Sequence, residues 1–168
     1  MLLVASSLHE LSFPKLMEVY AESNRENGED RYPGESHDRQ LALAEEGFRD
    51  YLSQVFFTTE NARYFILVEA GRYVSALRLE PYEDGLLLEA LETAPEFRKK
   101  GYAAALIEKT QAYLEKQGSI RLYSHVSRNN IASLRTHEKR GFRQILDYGR
   151  YIDGSINRRT VTLLYTTE

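Results

Sequence analysis

The sequence contains no cysteine and only four histidines. Without cysteine there can be no disulfide framework, no thiolate nucleophile and no cysteine-based zinc site, so folding must depend on burial alone. His125 and His137 are separated by a loop and a helix start, and His9 and His37 lie elsewhere, so the compact spacing of a metal-binding pair is also missing. No metal site is predicted.

An excess of positive charge and a long apolar segment are lacking as well. The formal net charge of −3 gives no bulk attraction toward nucleic acid or an anionic membrane, so neither is expected as a partner. No apolar run approaches the length of a membrane span, and the apolar stretch 1–5 is too short for the core of a signal peptide. We therefore predict a soluble, cytoplasmic protein.

Three common catalytic signatures are absent too. The sequence has no serine-centred nucleophile elbow, no phosphate-loop lysine motif and no glycine-rich dinucleotide fingerprint. Hydrolase, phosphotransferase and dehydrogenase functions therefore lack their required parts. Direct group transfer without a covalent enzyme intermediate fits the sequence better.

What remains is the composition of a globular protein. Apolar residues make up 42% and charged residues 28% of the 168 positions, and this length suits one domain over residues 1–168. The segment 24–39 holds glycine, proline and many charges but little to bury, so a mobile surface connection is predicted there.

Apolar periodicity predicts the element order ααβββαβαββ. The predicted helices share a 3.6-residue apolar period and lie at 8–21, 41–55, 102–114 and 130–140. The predicted strands share two-residue alternation or β-prone composition and lie at 64–70, 73–80, 86–93, 120–126, 142–151 and 158–165. Short connections favour antiparallel pairing, whereas the long helix at 102–114 permits a parallel crossover.

The segment from Arg98 to Ala103 has the character of an anion-binding loop. It precedes the strongest predicted helix, whose first backbone N–H groups have no partner within the helix. Gly101 and Ala103 would let a phosphate approach these groups, while the helix dipole and Lys99 or Lys100 add favourable charge. The sequence therefore predicts a pyrophosphate cradle, although a basic turn before a helix can equally be ordinary solvated surface.

Two motifs resemble those of the GNAT superfamily of N-acetyltransferases. Arg98, Gly101 and Ala103 match the family's cofactor motif of Arg or Gln, two residues, Gly, one residue, and Gly or Ala. The preceding stretch 88–97 looks like the family's splayed strand and its Pro-Glu-aromatic continuation. Residues 130–142 resemble the second motif, which usually carries Asn, an apolar helix, Tyr, Lys and a closing Gly-Phe.

The resemblance implies an α/β (α+β) fold and a cofactor. The central, mostly antiparallel mixed sheet would be splayed between strands 4 and 5 and flanked by about four helices. Acetyl-CoA would donate an acetyl group to a primary amine of a small molecule or peptide, with a backbone N–H near Leu91 or Glu92 facing the acetyl carbonyl. The residues implied for cofactor binding are Leu91, Glu92, Thr93, Arg98, Lys99, Lys100, Gly101, Tyr102, Ala103, Asn130, Ser133 and His137.

An amine arrives protonated at neutral pH, so transfer requires a base. Glu89 is predicted as this base, because the family often has Glu in its fourth strand and alternation puts Glu89 on the face with Leu91. Glu92 is the second candidate, provided that a bulge re-aims it. His125 lies where some relatives carry a catalytic Glu, and His137 where the family most often has a Tyr that protonates the leaving thiolate.

Each of these side chains also has a structural explanation. Glu89 can be a salt-bridged strand carboxylate, the two histidines can be hydrogen-bonded core residues, and Asn130 can cap a helix instead of binding pantetheine. The spacing of Asn130, Leu134 and His137 would place all three on one helix face toward the cofactor.

The resemblance implies an acceptor pocket built from the N-terminal helices, their connection and the last hairpin. The candidate residues there are Tyr20, Glu22, Glu29, Asp30, Tyr32, Tyr148 and Tyr151. Their acidity suggests a cationic acceptor, but polyamine, amino acid, antibiotic and peptide N-terminus all stay open. Two other functions stay open as well: a non-catalytic acyl-CoA sensor or scaffold, and a protein-interaction domain. A homodimer is compatible with the sequence.

Overall fold

The structure is a computed structural model that describes residues 1–168. Its helices are, in chain order, α1 (Phe13–Val19), α2 (Ala21–Arg31), α3 (His37–Gln54), α4 (Tyr102–Glu115) and α5 (Ile131–Lys139). Its strands are β1 (Leu2–Ala5), β2 (Arg63–Glu69), β3 (Arg72–Tyr82), β4 (Gly85–Thr93), β5 (Arg121–Ser127), β6 (Arg143–Leu146), β7 (Gly149–Arg150), β8 (Ile156–Asn157) and β9 (Thr160–Thr166). None of the helices is long and apolar enough to cross a membrane.

Seven strands form one mixed sheet in the order β1–β2–β3–β4–β5–β9–β6. Every neighbouring pair is antiparallel except β4 and β5, which are parallel and pair only from Leu86–Leu122 to Leu88–Ser124. Beyond these pairs the two strands separate, so Glu89 and the rest of β4 present a free edge. The predicted α/β fold with a sheet splayed between strands 4 and 5 is confirmed.

Strand β4 also carries a bulge within its pairing to β3. Arg78 pairs with Glu89, but the next recorded pair joins Ala76 to Glu92, so β4 holds one residue more than β3 over this stretch. Ala90 adopts the left-handed conformation there, with φ of 50°. A bulge of this kind bends the strand and changes the face to which the following side chains point.

Helices cover both faces of the sheet. Helix α4 buries its apolar stripe, including Leu106, Ile107 and Leu114, in a core of 15 buried residues on one face. Helices α1 and α3 cover the other face with a separate core of 12 buried residues, to which Leu16 and Leu52 belong. The apolar stripes seen in the sequence thus point to the two cores, as burial of apolar surface requires.

The predicted mobile connection 24–39 is wrong. Most of it is helix, because α2 ends at Arg31 and α3 begins at His37. Helix α2 has no apolar stripe and buries only Asn24 and Gly28. Gly28 packs directly on the backbone of Gln40, where a Cβ would lie 2.5 Å from the Gln40 carbonyl oxygen. A helix that packs through a glycine lacks the periodicity that identifies helices in a sequence.

Three other boundaries differ from the predictions. The helix predicted over 8–21 is divided into a 3₁₀ turn at Leu8–Glu10 and α1, with Pro14 in the first turn of α1. Residues 2–5, for which no element was predicted, form the edge strand β1 against β2. The strand predicted over 142–151 is interrupted, since β6 pairs with β9 whereas β7 pairs with β8.

Candidate active site

The loop before α4 leaves a run of backbone donors free. Lys99 and Gly101 both have positive φ, of 61° and 82°, and Gly101 is the N-cap of α4. None of the six backbone N–H groups from Lys99 to Ala104 donates a hydrogen bond within the protein, and the first helical bond runs from Ala105 N to Gly101 O at 3.0 Å. These free donors lie at the positive end of the helix dipole, where the sequence predicts a pyrophosphate cradle.

A groove of about 700 Å³ runs from this cradle along the free edge of β4, between α2 and α5. It is lined by ten of the residues predicted to bind the cofactor, namely Leu91, Glu92, Thr93, Arg98, Lys99, Gly101, Tyr102, Ala103, Asn130 and Ser133. We call it the cradle groove. Lys100 is outside the lining, and its ammonium group lies 5.4 Å from the ring centre of Phe97.

Arg98 is held at the mouth of the cradle by two partners. Its Nε–H donates to the carbonyl oxygen of Thr93 at 3.2 Å, and its guanidinium forms an ion pair with Glu22 of α2. Glu22, predicted to belong to the acceptor pocket, therefore lies against the cradle groove, to which α2 presents its carboxylate. Thr93, which the resemblance implies for cofactor binding, thus has its carbonyl oxygen engaged by Arg98.

His137 does not line the cradle groove. Only 1% of the residue is exposed, its Nδ1 lies 2.8 Å from the Ser133 carbonyl oxygen, and its Nε2 lies 2.9 Å from the Ser124 hydroxyl. The ring also stacks edge-on against Phe142, and burial lowers its pKa. His137, predicted to bind the cofactor and to protonate the leaving group, thus lies in the core with both ring nitrogens engaged.

The residues of α5 and its N-cap that meet the groove are Asn130, Ala132, Ser133 and Thr136, whereas the spacing in the sequence predicts Asn130, Leu134 and His137. Leu134 packs against the core beneath α4. The Asn130 side chain accepts a hydrogen bond from the Ser133 backbone N–H at 3.1 Å, so it caps the helix, as the alternative explanation held.

A second cleft, of about 400 Å³, lies on the other side of Glu92, between α2 and α3. Its walls combine aromatic, small and polar side chains, which are Tyr20, Ser23, Asn24, Asn27, Arg31, Ala44, Gly47, Phe48, Tyr51, Arg78, Ala90 and Glu92. We call it the α2–α3 cleft. Ser23 and Glu92 line both this cleft and the cradle groove, so the two spaces meet at these residues.

The bulge in β4 brings Glu92 to this junction. Ala90 packs with the core beneath α1 and α3, whereas Leu91 packs with the core beneath α4. Burial raises the pKa of Glu92, and Glu22 and Glu26 add to this rise, while the Ser23 hydroxyl and the Arg98 guanidinium oppose it. A carboxylate with a raised pKa between two clefts is suited to accepting a proton.

Glu89 lies outside both clefts. Its carboxylate accepts a hydrogen bond from Arg78 Nε at 3.4 Å, and the Arg78 guanidinium stacks on Tyr51, which belongs to the helix layer opposite α4. The predicted shared face of Glu89 and Leu91 is wrong, because the bulge interrupts the alternation between them. Beside Glu89, burial and the Glu89 charge raise the pKa of Glu80 to about 7.

Tyr20 is the one predicted acceptor residue that lines the α2–α3 cleft. Its hydroxyl donates to the Ala90 carbonyl at 2.7 Å and accepts from the Tyr64 hydroxyl at 3.1 Å, so Tyr20 supports the bulge from below. Burial raises the pKa of Tyr20 well above its ordinary value. This side chain is therefore a fixed, uncharged part of the cleft floor.

The other predicted acceptor residues lie elsewhere. Glu29 faces His37 at 3.8 Å, and Asp30 is exposed at the surface. Tyr32, Tyr148 and Tyr151 line neither the cradle groove nor the α2–α3 cleft. The last two lie on either side of β7.

His125 also lies away from both clefts. Its ring stacks edge-on against Tyr82 and Tyr151, and its Nε2 lies 3.4 Å from the Tyr82 hydroxyl. Burial lowers its pKa. The predicted catalytic role of His125 therefore has no support in its position.

The sequence reasoning missed most of the polar wall of the α2–α3 cleft. Ser23, Asn24, Asn27 and Arg31 all belong to α2, most of which falls in the segment 24–39 predicted as a connection. Asn24, Asn27 and Arg31 are three and four residues apart, a spacing that places side chains on one helix face. No three His, Asp or Glu side chains come together in a way that would hold a metal ion.

Comparison with known proteins identifies the family. The model of the Acetyltransferase (GNAT) family matches residues 15–142, and the chain belongs to this family. The resemblance carried by the two sequence motifs is thus confirmed, and the protein is an acetyltransferase. This finding favours catalysis over the non-catalytic module and the interaction domain. A comparison with curated proteins finds no match.

Solved structures of the same fold share little sequence with this chain. The ribosomal-protein-S18-alanine N-acetyltransferase from Escherichia coli is 19% identical, with a TM-score of 0.62 over 99% of this chain and 94% of the other. The PaiA N-acetyltransferase from Thermoplasma acidophilum, in complex with coenzyme A, is 15% identical, with a TM-score of 0.65 over 99% of each chain. Aminoglycoside 6′-acetyltransferase type Ii is 14% identical, with a TM-score of 0.61 over 97% and 96%.

Proposed function

We propose that the protein transfers an acetyl group from acetyl-CoA to a primary amine by direct attack of that amine. The observation that carries this proposal is the meeting of the cradle groove and the α2–α3 cleft at Glu92. The cradle groove offers hydrogen-bond donors for a pyrophosphate, and the α2–α3 cleft opens toward solvent between two helices. The Glu92 carboxylate lies where the two spaces join. A direct transfer needs this arrangement, because donor and acceptor must be present together.

The residues of the cradle groove fit acetyl-CoA. Six free backbone N–H groups from Lys99 to Ala104 match the need of a pyrophosphate for several donors, and Arg98 and Lys99 supply positive charge. The free edge of β4 at Leu91 leaves backbone groups for an amide-rich arm. A solved neighbour of this fold, PaiA from Thermoplasma acidophilum, was obtained with coenzyme A. When bound, acetyl-CoA supplies the acetyl group as a thioester.

Glu92 acts as the base in this proposal. The ammonium group of the acceptor first loses one proton to Glu92. Attack of the neutral amine nitrogen then forms the amide C–N bond as the thioester C–S bond breaks, and the second proton of the nitrogen passes to the released thiolate. The raised pKa of Glu92 makes its carboxylate a better proton acceptor than an exposed glutamate. Glu89, the candidate from the sequence, is engaged by Arg78 and lines neither the cradle groove nor the α2–α3 cleft.

The test compares two isosteric substitutions. We expect Glu92→Gln to lower kcat about 100-fold or more, because it removes general-base catalysis. Glu89→Gln serves as the matched comparison on the same strand. Calorimetric titration with acetyl-CoA checks that both variants still bind the cofactor. A larger loss of kcat in Glu89→Gln than in Glu92→Gln would reverse the assignment of the base, and failure of the wild-type protein to bind acetyl-CoA would overturn the proposed function.

The pH dependence provides a second readout of the base. Because burial raises the pKa of Glu92, the carboxylate becomes available only as the pH rises through that elevated value. The wild-type kcat should therefore increase with pH across this range, and the residual kcat of Glu92→Gln should not show this step. A step of the same position and size in Glu92→Gln would assign the titration to another group.

A further inference from the structure

The α2–α3 cleft carries opposite charges at its two ends. Glu92 lies at the inner end, where the cleft meets the cradle groove, and Arg31, the last residue of α2, lies at the outer end. Ser23, which lines both spaces with Glu92, and Arg31 are eight positions apart on α2, or about 12 Å along the helix axis. A molecule that fills the cleft therefore has the Glu92 carboxylate beside one of its ends and the Arg31 guanidinium beside the other.

The guanidinium of Arg31 is free to bind a ligand. Arg31 is exposed and forms no ion pair within the protein. The second arginine of the cleft, Arg78, is already paired with Glu89 at 3.4 Å. The charge left for an acceptor is therefore positive at the outer end, which disfavours a polycation along the length of the cleft.

The middle of the cleft offers an unpaired hydrogen-bond acceptor. Asn24 is 3% exposed and lines the cleft, and its side-chain NH₂ donates to the sulfur of Met17 at 3.3 Å. No group of the protein donates a hydrogen bond to the Oδ1 carbonyl of Asn24, but this oxygen is not one of the buried polar atoms that lack a partner, so it is in contact with solvent. A ligand N–H can therefore take the place of water at this oxygen. Phe48 and Tyr51 form the opposite, largely apolar wall.

Building on the acetyltransferase function proposed above, we infer that the acceptor is a short peptide of two or three residues with a free carboxylate. Its N-terminal amine lies at Glu92, a backbone N–H meets Asn24, and its carboxylate pairs with Arg31. An extended chain spans at most about 3.6 Å per residue, so about 12 Å corresponds to three residues, or two when the Arg31 side chain reaches inward. The cleft of about 400 Å³ is of a size that holds such a molecule.

The test uses two probes that differ only in the carboxylate. Alanyl-phenylalanine and its C-terminal amide are each offered to the wild-type protein with acetyl-CoA, and spermidine is offered as a polycation. We expect kcat/KM to be at least about tenfold higher for the free acid than for the amide, because a charge-assisted hydrogen bond to Arg31 is lost in the amide. Spermidine should be a poorer acceptor than the free acid.

Two variants assign the preference to Arg31. Arg31→Gln should bring the ratio of kcat/KM for acid over amide to about one, whereas Arg25→Gln should keep the wild-type ratio. Arg25 is an exposed arginine on the same helix that lines neither the cradle groove nor the α2–α3 cleft, so it controls for net charge. A ratio that falls equally in both variants would overturn the inference.

The outcomes separate this inference from the proposed function. Transfer to spermidine or to the amide in preference to the free acid would overturn the peptide acceptor and leave the acetyltransferase function in place. Binding of acetyl-CoA without transfer to any of the three probes would also overturn the peptide acceptor. Absence of acetyl-CoA binding, measured by calorimetry, would instead overturn the proposed function itself.

Discussion

Placing a carboxylate at Gly101 should abolish most of the affinity for acetyl-CoA, and a matched glycine provides the control. Gly101 and Gly154 have nearly the same conformation, with φ of 82° and 85°, and a Cβ at either position would meet no atom within 4 Å. Because a residue with a side chain disfavours the left-handed conformation, a substitution at either position should destabilise the protein by about 1–2 kcal/mol. Both Gly101→Glu and Gly154→Glu should therefore lower Tm by about 2–8 °C.

The two glutamate variants should differ in their affinity for acetyl-CoA although their losses of stability are similar. At Gly101 the new carboxylate stands beside the free N–H groups of the cradle, whereas Gly154 lies in the turn between β7 and β8. Two like charges about 4 Å apart repel by between about 1 kcal/mol in water and about 4 kcal/mol at an effective dielectric constant of 20. This range corresponds to a loss of affinity between about fivefold and about a thousandfold.

Calorimetric titration with acetyl-CoA at low ionic strength measures the difference, and repeating it at high salt should reduce the loss because salt screens the repulsion. Gly101→Gln has the same shape and backbone cost without the charge, so it separates bulk from repulsion. If Gly101→Glu bound acetyl-CoA as well as Gly154→Glu does, the pyrophosphate could not lie against this loop, and the argument from the free N–H groups would be refuted.

Two further predictions concern buried groups. Burial and the Glu89 charge raise the pKa of Glu80 to about 7, so the folded protein holds a proton that the unfolded chain releases. The free energy of unfolding should therefore fall as the pH rises from about 4.5 to 7. Urea unfolding across this range should show a smaller fall for Glu80→Gln, and equal slopes would contradict the raised pKa. His137→Ala should cost about 2–4 kcal/mol of unfolding free energy; lost activity at unchanged stability would contradict its structural role.

Much of the fold was predictable because local patterns encode it. Helix α4 has a strong apolar stripe, and the strands β2 to β5 show the composition and alternation of buried strands. The cradle was predictable for the same reason, since unpaired N–H groups at the start of a helix are a local property of Lys99 to Ala104. The family motif at Arg98, Gly101 and Ala103 lies within this one local element.

The acceptor side was less predictable because its contacts are not local. Helix α2 packs through Gly28 against the backbone of Gln40 and leaves no apolar period in the sequence. The polar residues of its free face became recognisable as one wall only when the helix was seen packed beside α3. The splay of β4 from β5 likewise depends on strands that are distant in the chain.

Which side chains meet in the site was decided by the tertiary structure alone. The sequence by itself determined that carboxylates occur at 89 and 92 and that histidine occurs at 137. The pairing of β4 with β3 placed a bulge at Ala90, and alanine is not a residue type from which a positive φ can be predicted. This bulge put Glu92 at the junction of the two clefts. Packing of α5 buried His137. Periodicity specifies elements, whereas strand register and packing between remote segments specify which functional groups come together.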